Sequence, residues 1–328
     1  MAIHSKLNNT LLTSMASLMA ITVSCGKDMT VIRREYDDSS DPSGEPEAIT
    51  VKRISLSRKM AVLRVGVSKT LEAEVAPENI TDVTIVWSSG NEDVATVEDG
   101  VVTAKGSGEA TVTATAGGAS ASCLVRVVED PGAAGQCVDL GLHVDWCVMD
   151  LGAGDRYAWG ETSPKSYYDW STYTHCTGSY DRLTKYYSDP LLGADHFPDG
   201  KEQLDIEDDP ATWAMGEEYR TPTDADWVEL LTACHWEEME SDGIKGYMVS
   251  SIAYPEKHIL LPYGEGIKGL DSGMPGTSLG QYWSSTRVST YTMSQFAWSL
   301  TFAPGEVQRR YYQRCYGLRI RPVKLKEI

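Results

Sequence analysis

The stretch Ala110-Thr111-Val112-Thr113-Ala114-Thr115-Ala116 alternates small apolar residues with threonine over seven positions. A period of two places one set on a covered face and the other toward solvent, which is a strand with one wet side. The same spacing recurs on its N-terminal side. Leu71, Ala73 and Val75 alternate with Glu72 and Glu74, Val83, Ile85 and Trp87 follow, and then come Val94-Ala95-Thr96-Val97 and Gly100-Val101-Val102-Thr103-Ala104. On its C-terminal side Cys123, Val125 and Val127 close the run. Short strands separated by turn residues such as Asn91 and Gly100, with no helical window between them, predict an all-β sandwich over residues 51–129. Trp87 is expected to plug its core.

Outside this block the chain changes character. Residues 26–50 are polar and include Asp37-Asp38-Ser39-Ser40-Asp41-Pro42-Ser43-Gly44-Glu45-Pro46, a composition that cannot bury a core and reads as a flexible tether. Before it, Lys6 and the apolar run from Leu11 to Val23 are too short for a mature transmembrane helix and read as an export signal over residues 1–25. Thr22-Val23-Ser24-Cys25-Gly26 resembles the cleavage box of bacterial lipoproteins, with Thr22 where that family usually has leucine. The resemblance implies lipidation of Cys25, a membrane as partner through that lipid, and an outer-membrane, cell-surface location. Acidic residues soon after Cys25 resemble the surface-export signals of Bacteroidota.

The net charge of -18 argues against nucleic acid as a partner. Three Phe stand against 17 Tyr and nine Trp, so aromatic packing here carries polar handles. The six cysteines after Cys25 contain no CxxC pair, and export permits disulfides without choosing among their pairings. Glu129-Asp130-Pro131-Gly132-Ala133-Ala134-Gly135 reads as a hinge that allows interdomain motion.

The second domain, residues 136–328, is expected to be α+β. Thr223 with Asp226 three positions on is an acidic capping box, and Trp227, Leu230, Leu231 and Cys234 give the helix one apolar face. Strands are expected at 247–250, 258–262, 281–285, 297–302 and 316–323. In the last, Leu318 and Ile320 point one way and Arg319 and Arg321 the other.

Two family resemblances follow. Val86-Trp87-Ser88-Ser89, Val94-Ala95-Thr96-Val97 and Gly108-Glu109-Ala110-Thr111-Val112-Thr113-Ala114 resemble bacterial Ig-like domains of group 2, which implies a spacer module. Val138-Asp139-Leu140-Gly141-Leu142, Tyr157-Ala158-Trp159-Gly160-Glu161-Thr162, Tyr219-Arg220-Thr221-Pro222-Thr223, Tyr282-Trp283-Ser284-Ser285-Thr286 and Gly317-Leu318-Arg319-Ile320-Arg321-Pro322-Val323 resemble the Fibrobacter succinogenes major paralogous domain. That resemblance implies a C-type-lectin-like head with two helices, small sheets and long loops. His143-Val144-Asp145-Trp146 departs from the family's usual continuation.

No Gly-x-Ser-x-Gly elbow or His-Glu-x-x-His helix is present, so catalysis is not expected. Cys234 and His235 are adjacent in sequence and so do not face each other. Ligand platforms are sought among loop aromatics and the local basic patch: Tyr167, Tyr168, Trp170, Tyr173, Tyr291, Arg309, Tyr311, Tyr312 and Arg314. The patch could instead pair with the domain's own carboxylates. Trp159, Trp227, Trp283 and Trp298 read as core. No cofactor is expected beyond a structural calcium ion, for which Asp205, Glu207, Asp208 and Asp209 are the candidates; a solvated acidic loop is the alternative. The expected function is a cell-surface adhesion or glycan-binding lipoprotein, with a fimbrial accessory or tip role fitting the same order of parts. A non-binding structural envelope protein is the alternative, and an uncharacterised enzyme a more distant one. The ligand and oligomeric state are not legible.

Overall fold

The computed structural model describes residues 50–78, 80, 83–241, 243–264, 268 and 279–326. The signal segment, Cys25 and all of the tether but residue 50 lie outside the described residues.

The first nine strands are β1 (Arg53–Leu56), β2 (Met60–Arg64), β3 (Ser68–Thr70), β4 (Ala73–Ala76), β5 (Val86–Ser89), β6 (Ala95–Glu98), β7 (Val101–Ala104), β8 (Gly108–Ala116) and β9 (Ala119–Val128). They form a four-stranded sheet in the order β2-β9-β8-β5, a three-stranded sheet β3-β7-β6 and the pair β1-β4. β2 runs parallel to β9, and the other pairs are antiparallel. Ala61, Leu63, Ala110, Val112, Cys123, Val125 and Val127 from the larger sheet meet Ala95, Val102 and Ala104 from the smaller, which is the core of a sandwich. Trp87 is only partly buried and packs against the edge of that core rather than filling its centre. Gly100, at φ +81°, turns beneath it; a Cβ there would meet the Leu71 carbonyl at 2.6 Å and the Trp87 ring at 3.1 Å, so only glycine fits.

The remaining strands are β10 (Cys137–Val138), β11 (Val144–Cys147), β12 (Tyr219–Arg220), β13 (Cys234–Ser241), β14 (Ile244–Ser251), β15 (His258–Pro262), β16 (Gly280–Arg287), β17 (Phe296–Ala303), β18 (Glu306–Gln313) and β19 (Val323–Leu325), with helices α1 (Pro210–Met215) and α2 (Asp224–Ala233). They build the sheets β10-β11-β19-β12, β13-β14-β15 and β16-β17-β18. Pairing of β11 with β19 brings the two ends of this α+β domain together. A disulfide joins Cys137 to Cys147 across the paired strands β10 and β11, while Cys123, Cys176, Cys234 and Cys315 are free and buried.

Helix α2 starts as its residues require. The Thr223 hydroxyl accepts from the Asp226 amide, and the Asp226 carboxylate accepts from the Thr223 amide in return. Trp227 and Leu230 are fully buried against Trp146, Tyr282, Leu300 and Phe302. Cys234 and His235 open strand β13 rather than ending the helix, one buried and one exposed. Burial, with the nearby Glu229 charge, pushes the Cys234 thiol up to about 11.

Two expectations change. The segment 316–323 is not a continuous strand: isolated bridges at Gly317, Leu318 and Arg319 precede the short β19. Its alternation does not separate a dry face from a wet one, because Leu318, Arg319, Ile320 and Arg321 are all buried. Nor does the Pro-Gly segment form a free hinge. Around it, Arg58 and Lys69 of the sandwich meet Glu217 at 2.9 and 2.8 Å, and Arg64 meets Glu218 at 2.8 Å and Asp130 at 3.0 Å. The Glu217 amide also donates to the Val62 carbonyl at 3.0 Å, and the Arg126 guanidinium lies 4.2 Å from the Trp213 ring centre.

Candidate functional site

In β17 and β18, Trp298 pairs with Tyr311 and Phe296 with Gln313. Directly opposed residues point to the same side of a sheet, so these four side chains share one face. Further along that face Leu300 and Phe302 are sealed by α2. Asp224, the first residue of the helix, receives a hydrogen bond from Arg309 Nε at 2.8 Å, and beyond this pair the face is open.

The open part is aromatic. Tyr311 is 45% exposed and meets Phe296 and Trp298 edge-on, with ring centres 5.4 and 5.6 Å apart. The Arg309 guanidinium lies 4.6 Å from the Trp298 ring centre. At the other end, Trp170 Nε1 donates to Gln313 Oε1 at 2.9 Å and continues the stripe. Phe296, Tyr311 and Trp298 thus form a group of rings, Tyr311 exposed and the other two partly buried, and Trp170, also partly buried, adjoins it through Gln313. It is bounded by an Arg–Asp pair at one end and an amide at the other. Such rings offer flat apolar surface, and the polar groups at either end offer donors and acceptors suited to hydroxyls.

Of the residues singled out from sequence, Tyr311, Arg309 and Trp170 come together here. Tyr167 and Tyr291 are exposed on separate loops. Four others do not belong to a ligand face. Tyr312 pairs with the fully buried Ala297 on the opposite side of the sheet, and its hydroxyl accepts from Gln281 at 3.1 Å. Tyr168 and Tyr173 are buried, and their hydroxyls donate to the carbonyls of Arg156 and Trp159. Arg314 is fully buried. It donates to the Tyr173 hydroxyl and to the carbonyls of Tyr186, Ser294 and Lys185 at 2.9–3.0 Å, stacked near Trp159 and Tyr173. These groups serve the long irregular segment after β11. Its backbone carbonyls lack a strand partner, and buried carbonyls need donors. Trp298, read as core, is partly buried, at the margin of this face. Phe296 was not singled out at all, although its i, i+2 spacing with Trp298 signals a shared face.

The acidic run is partly gathered. Asp205, Glu207 and Asp208 each bring a carboxylate oxygen within 4.8 Å of the others. The Lys185 ammonium sits among them, at 2.9, 3.0 and 2.5 Å, and Lys201 reaches Asp205 at 2.6 Å. Burial would lower the lysine's pKa, but hydrogen bonds to the three carboxylates raise it. Asp209 is not part of the group. It caps α1, accepting from the Ala211 and Thr212 amides, and it also accepts from Thr221.

Residues 50–125 match the family of bacterial Ig-like domains (group 2), so a domain of that family is present. Over 66 residues, 20% of this chain and 17% of the relative, the chain is 44% identical to a kappa-carrageenase of Pseudoalteromonas carrageenovora. It is 39% identical to a lacto-N-biosidase of Bifidobacterium bifidum over 97 residues, 28% of this chain and 9% of the relative. It is also 44% identical to a minor capsid protein of Enterobacteria phage T3 over 75 residues, 23% of this chain and 17% of the relative. The matched stretch thus spans less than a fifth of each of these three proteins. Among solved structures, domains 4 and 5 of the S-layer protein SbsC align at 18% identity with a TM-score of 0.22, covering 24% of this chain and 53% of that one. SbsC domains 4–9 align at 10% identity with a TM-score of 0.23, covering 80% and 31%. Scores this low do not establish a shared fold.

Proposed function

We propose that the chain is a lipid-anchored cell-surface protein whose C-type-lectin-like head binds carbohydrate on the Trp170–Phe296–Tyr311–Trp298 face, in a binding rather than a catalytic role. The observation that carries the reading is the open row of rings ending in Arg309 and Asp224. The Cys25 cleavage box and the polar tether support display at an outer membrane, and the Ig-like domain supports a stand-off position, as in adhesins and fimbria-associated proteins of Bacteroidota. The test is a glycan-array screen of the full chain, followed by titration of any glycan captured. Losing one ring face of roughly 60 Å² corresponds to about 1.5 kcal/mol, so Tyr311→Ala is expected to weaken binding about tenfold. Binding that survives both Tyr311→Ala and Trp298→Ala would move the site elsewhere.

A second reading, a structural envelope component that binds no glycan, is favoured by the ion pairs that hold the sandwich to the head. Silence on every glycan, with capture of envelope proteins by the full chain, would select it.

A structural calcium ion at Asp205, Glu207 and Asp208 would have to displace the Lys185 ammonium. Chelator is therefore expected to move the thermal midpoint by less than about 1 °C, since only a ligand that binds the native state raises it. A clear rise in added calcium would show that the lysine yields its place.

A further inference from the structure

A cavity of about 400 Å³ opens elsewhere in the head, lined by Asp150, Asp155, Arg156, Lys165, Tyr168, Lys268 and Arg319 among others. Among the described residues of its wall, Lys165 and Arg319 have carboxylate partners and Lys268 has none, in a chain whose net charge is -18. Asp150 is shared. It meets Arg319 at 3.1 Å and Arg321 at 2.6 Å, all three are buried, and it also accepts from the Tyr282 hydroxyl at 3.1 Å. One carboxylate cannot neutralise two guanidiniums, so this buried group keeps an excess positive charge. The excess sits on the cavity side. Arg321 spends its remaining donors on the Cys147 and Leu260 carbonyls, while Arg319 gives Nη2 to the Pro262 carbonyl, keeps Nε without an acceptor among the described residues, and forms part of the wall.

The other charges are fixed with different degrees of freedom. Lys165 is paired with Glu161 at 2.8 Å. Lys268 is exposed, has no carboxylate partner among the described residues, and is anchored through backbone hydrogen bonds to Gly317 at 2.8 and 3.3 Å. Tyr168 is buried behind the wall and steadies it: its hydroxyl donates to the Arg156 carbonyl and accepts from the Lys165 amide. Gly154, at φ +98°, carries the chain along the wall without filling it; a Cβ there would come no closer than 3.9 Å to Arg319.

We propose that this cavity is a binding site for an anionic saccharide unit, a uronate residue of a glycan. Its volume suits one sugar ring, and the charge of Arg319 and Lys268 suits a carboxylate. The site does not rest on the aromatic face of β17 and β18, and Tyr311→Ala is expected to leave it unchanged.

The test is calorimetric titration of the full chain with glucuronate and galacturonate, with glucose and inorganic sulfate as comparisons. Saturable uronate binding at least about tenfold tighter than glucose is expected, with a loss of about tenfold in Lys268→Glu, whose exposed side chain leaves the melting curve in place. In the native chain, saturating uronate is also expected to protect Lys268 from acetylation. No saturable uronate binding, equal affinity for glucose, or an unchanged affinity in Lys268→Glu would overturn the site. Sulfate binding as tightly as uronate would overturn the saccharide assignment.

Discussion

Replacing Asp150 by alanine is expected to cost about 3–5 kcal/mol, because it strips the carboxylate from two buried guanidiniums and leaves their charge unpaired. Arg319 would keep only the Pro262 carbonyl, and Arg321 the carbonyls of Cys147 and Leu260. The Tyr282 hydroxyl would also lose its acceptor. The damage reaches the centre of the head, since Tyr282 stacks on Phe302 with ring centres 5.9 Å apart and packs against Trp227. Urea denaturation followed by tryptophan fluorescence measures the loss. Asp139→Ala is the comparison. Asp139 also meets two cations, Lys326 at 2.7 Å and Lys257 at 3.7 Å, but in solvent, where such pairs contribute about 0–1 kcal/mol. If Asp150→Ala cost no more than Asp139→Ala, water entering through the adjoining cavity would be solvating the guanidiniums, and the buried charge would not be holding the fold.

The same residues show what sequence alone could and could not reveal. Local chemistry was legible. The Thr223–Asp226 box sets the start of α2, and the threonine alternation around Val112 sets β8. In both, the deciding atoms lie within a few residues of one another. What a period of two cannot say is whether the second face of a strand is also covered. Arg319 and Arg321 alternate with Leu318 and Ile320 as on a half-wet strand, yet a carboxylate about 170 positions earlier lets both guanidiniums be buried. The aromatic loops failed for a related reason. Tyr168, Tyr173 and Arg314 have the composition of a binding surface, but irregular backbone needs the same donors to satisfy its carbonyls. The face on which Phe296 and Trp298 are only partly buried and Tyr311 is exposed stays uncovered because α2 begins at Asp224 and covers only the other end of their sheet. That boundary is a tertiary fact.

Glu217 carries the second large effect. Its carboxylate accepts from Arg58 at 2.9 Å, from Lys69 at 2.8 Å and from the Val62 amide at 3.0 Å, all from the sandwich. Burial alone would push this carboxyl up; the bonds from Lys69 and the Val62 amide and the charge of Arg58 outweigh it and hold the group below its ordinary range. A lowered folded-state value stabilises the structure above the unfolded value, about 4.3 for glutamate, and that contribution is lost as pH falls through the folded value. Glu217→Ala is expected to cost about 2–3 kcal/mol near neutral pH, as hydrogen bonds to a charged group do, with little difference from the native chain once the medium is acid enough to protonate the carboxylate. The variant should also unfold less cooperatively, because the sandwich and the head each keep their own core and only the contacts between them make one melt with the other. Calorimetry distinguishes the cases: a single sharp transition in both proteins would mean that the backbone bond from Glu217 to Val62, the Arg64–Glu218 pair and the Arg126–Trp213 contact suffice to couple the domains. A split transition in the variant would make Glu217 the centre of the coupling. Force on a head held at the end of the chain would then pass into the sandwich through charged side chains as well as through the Pro-Gly segment, so domain coupling would weaken with salt and with acid.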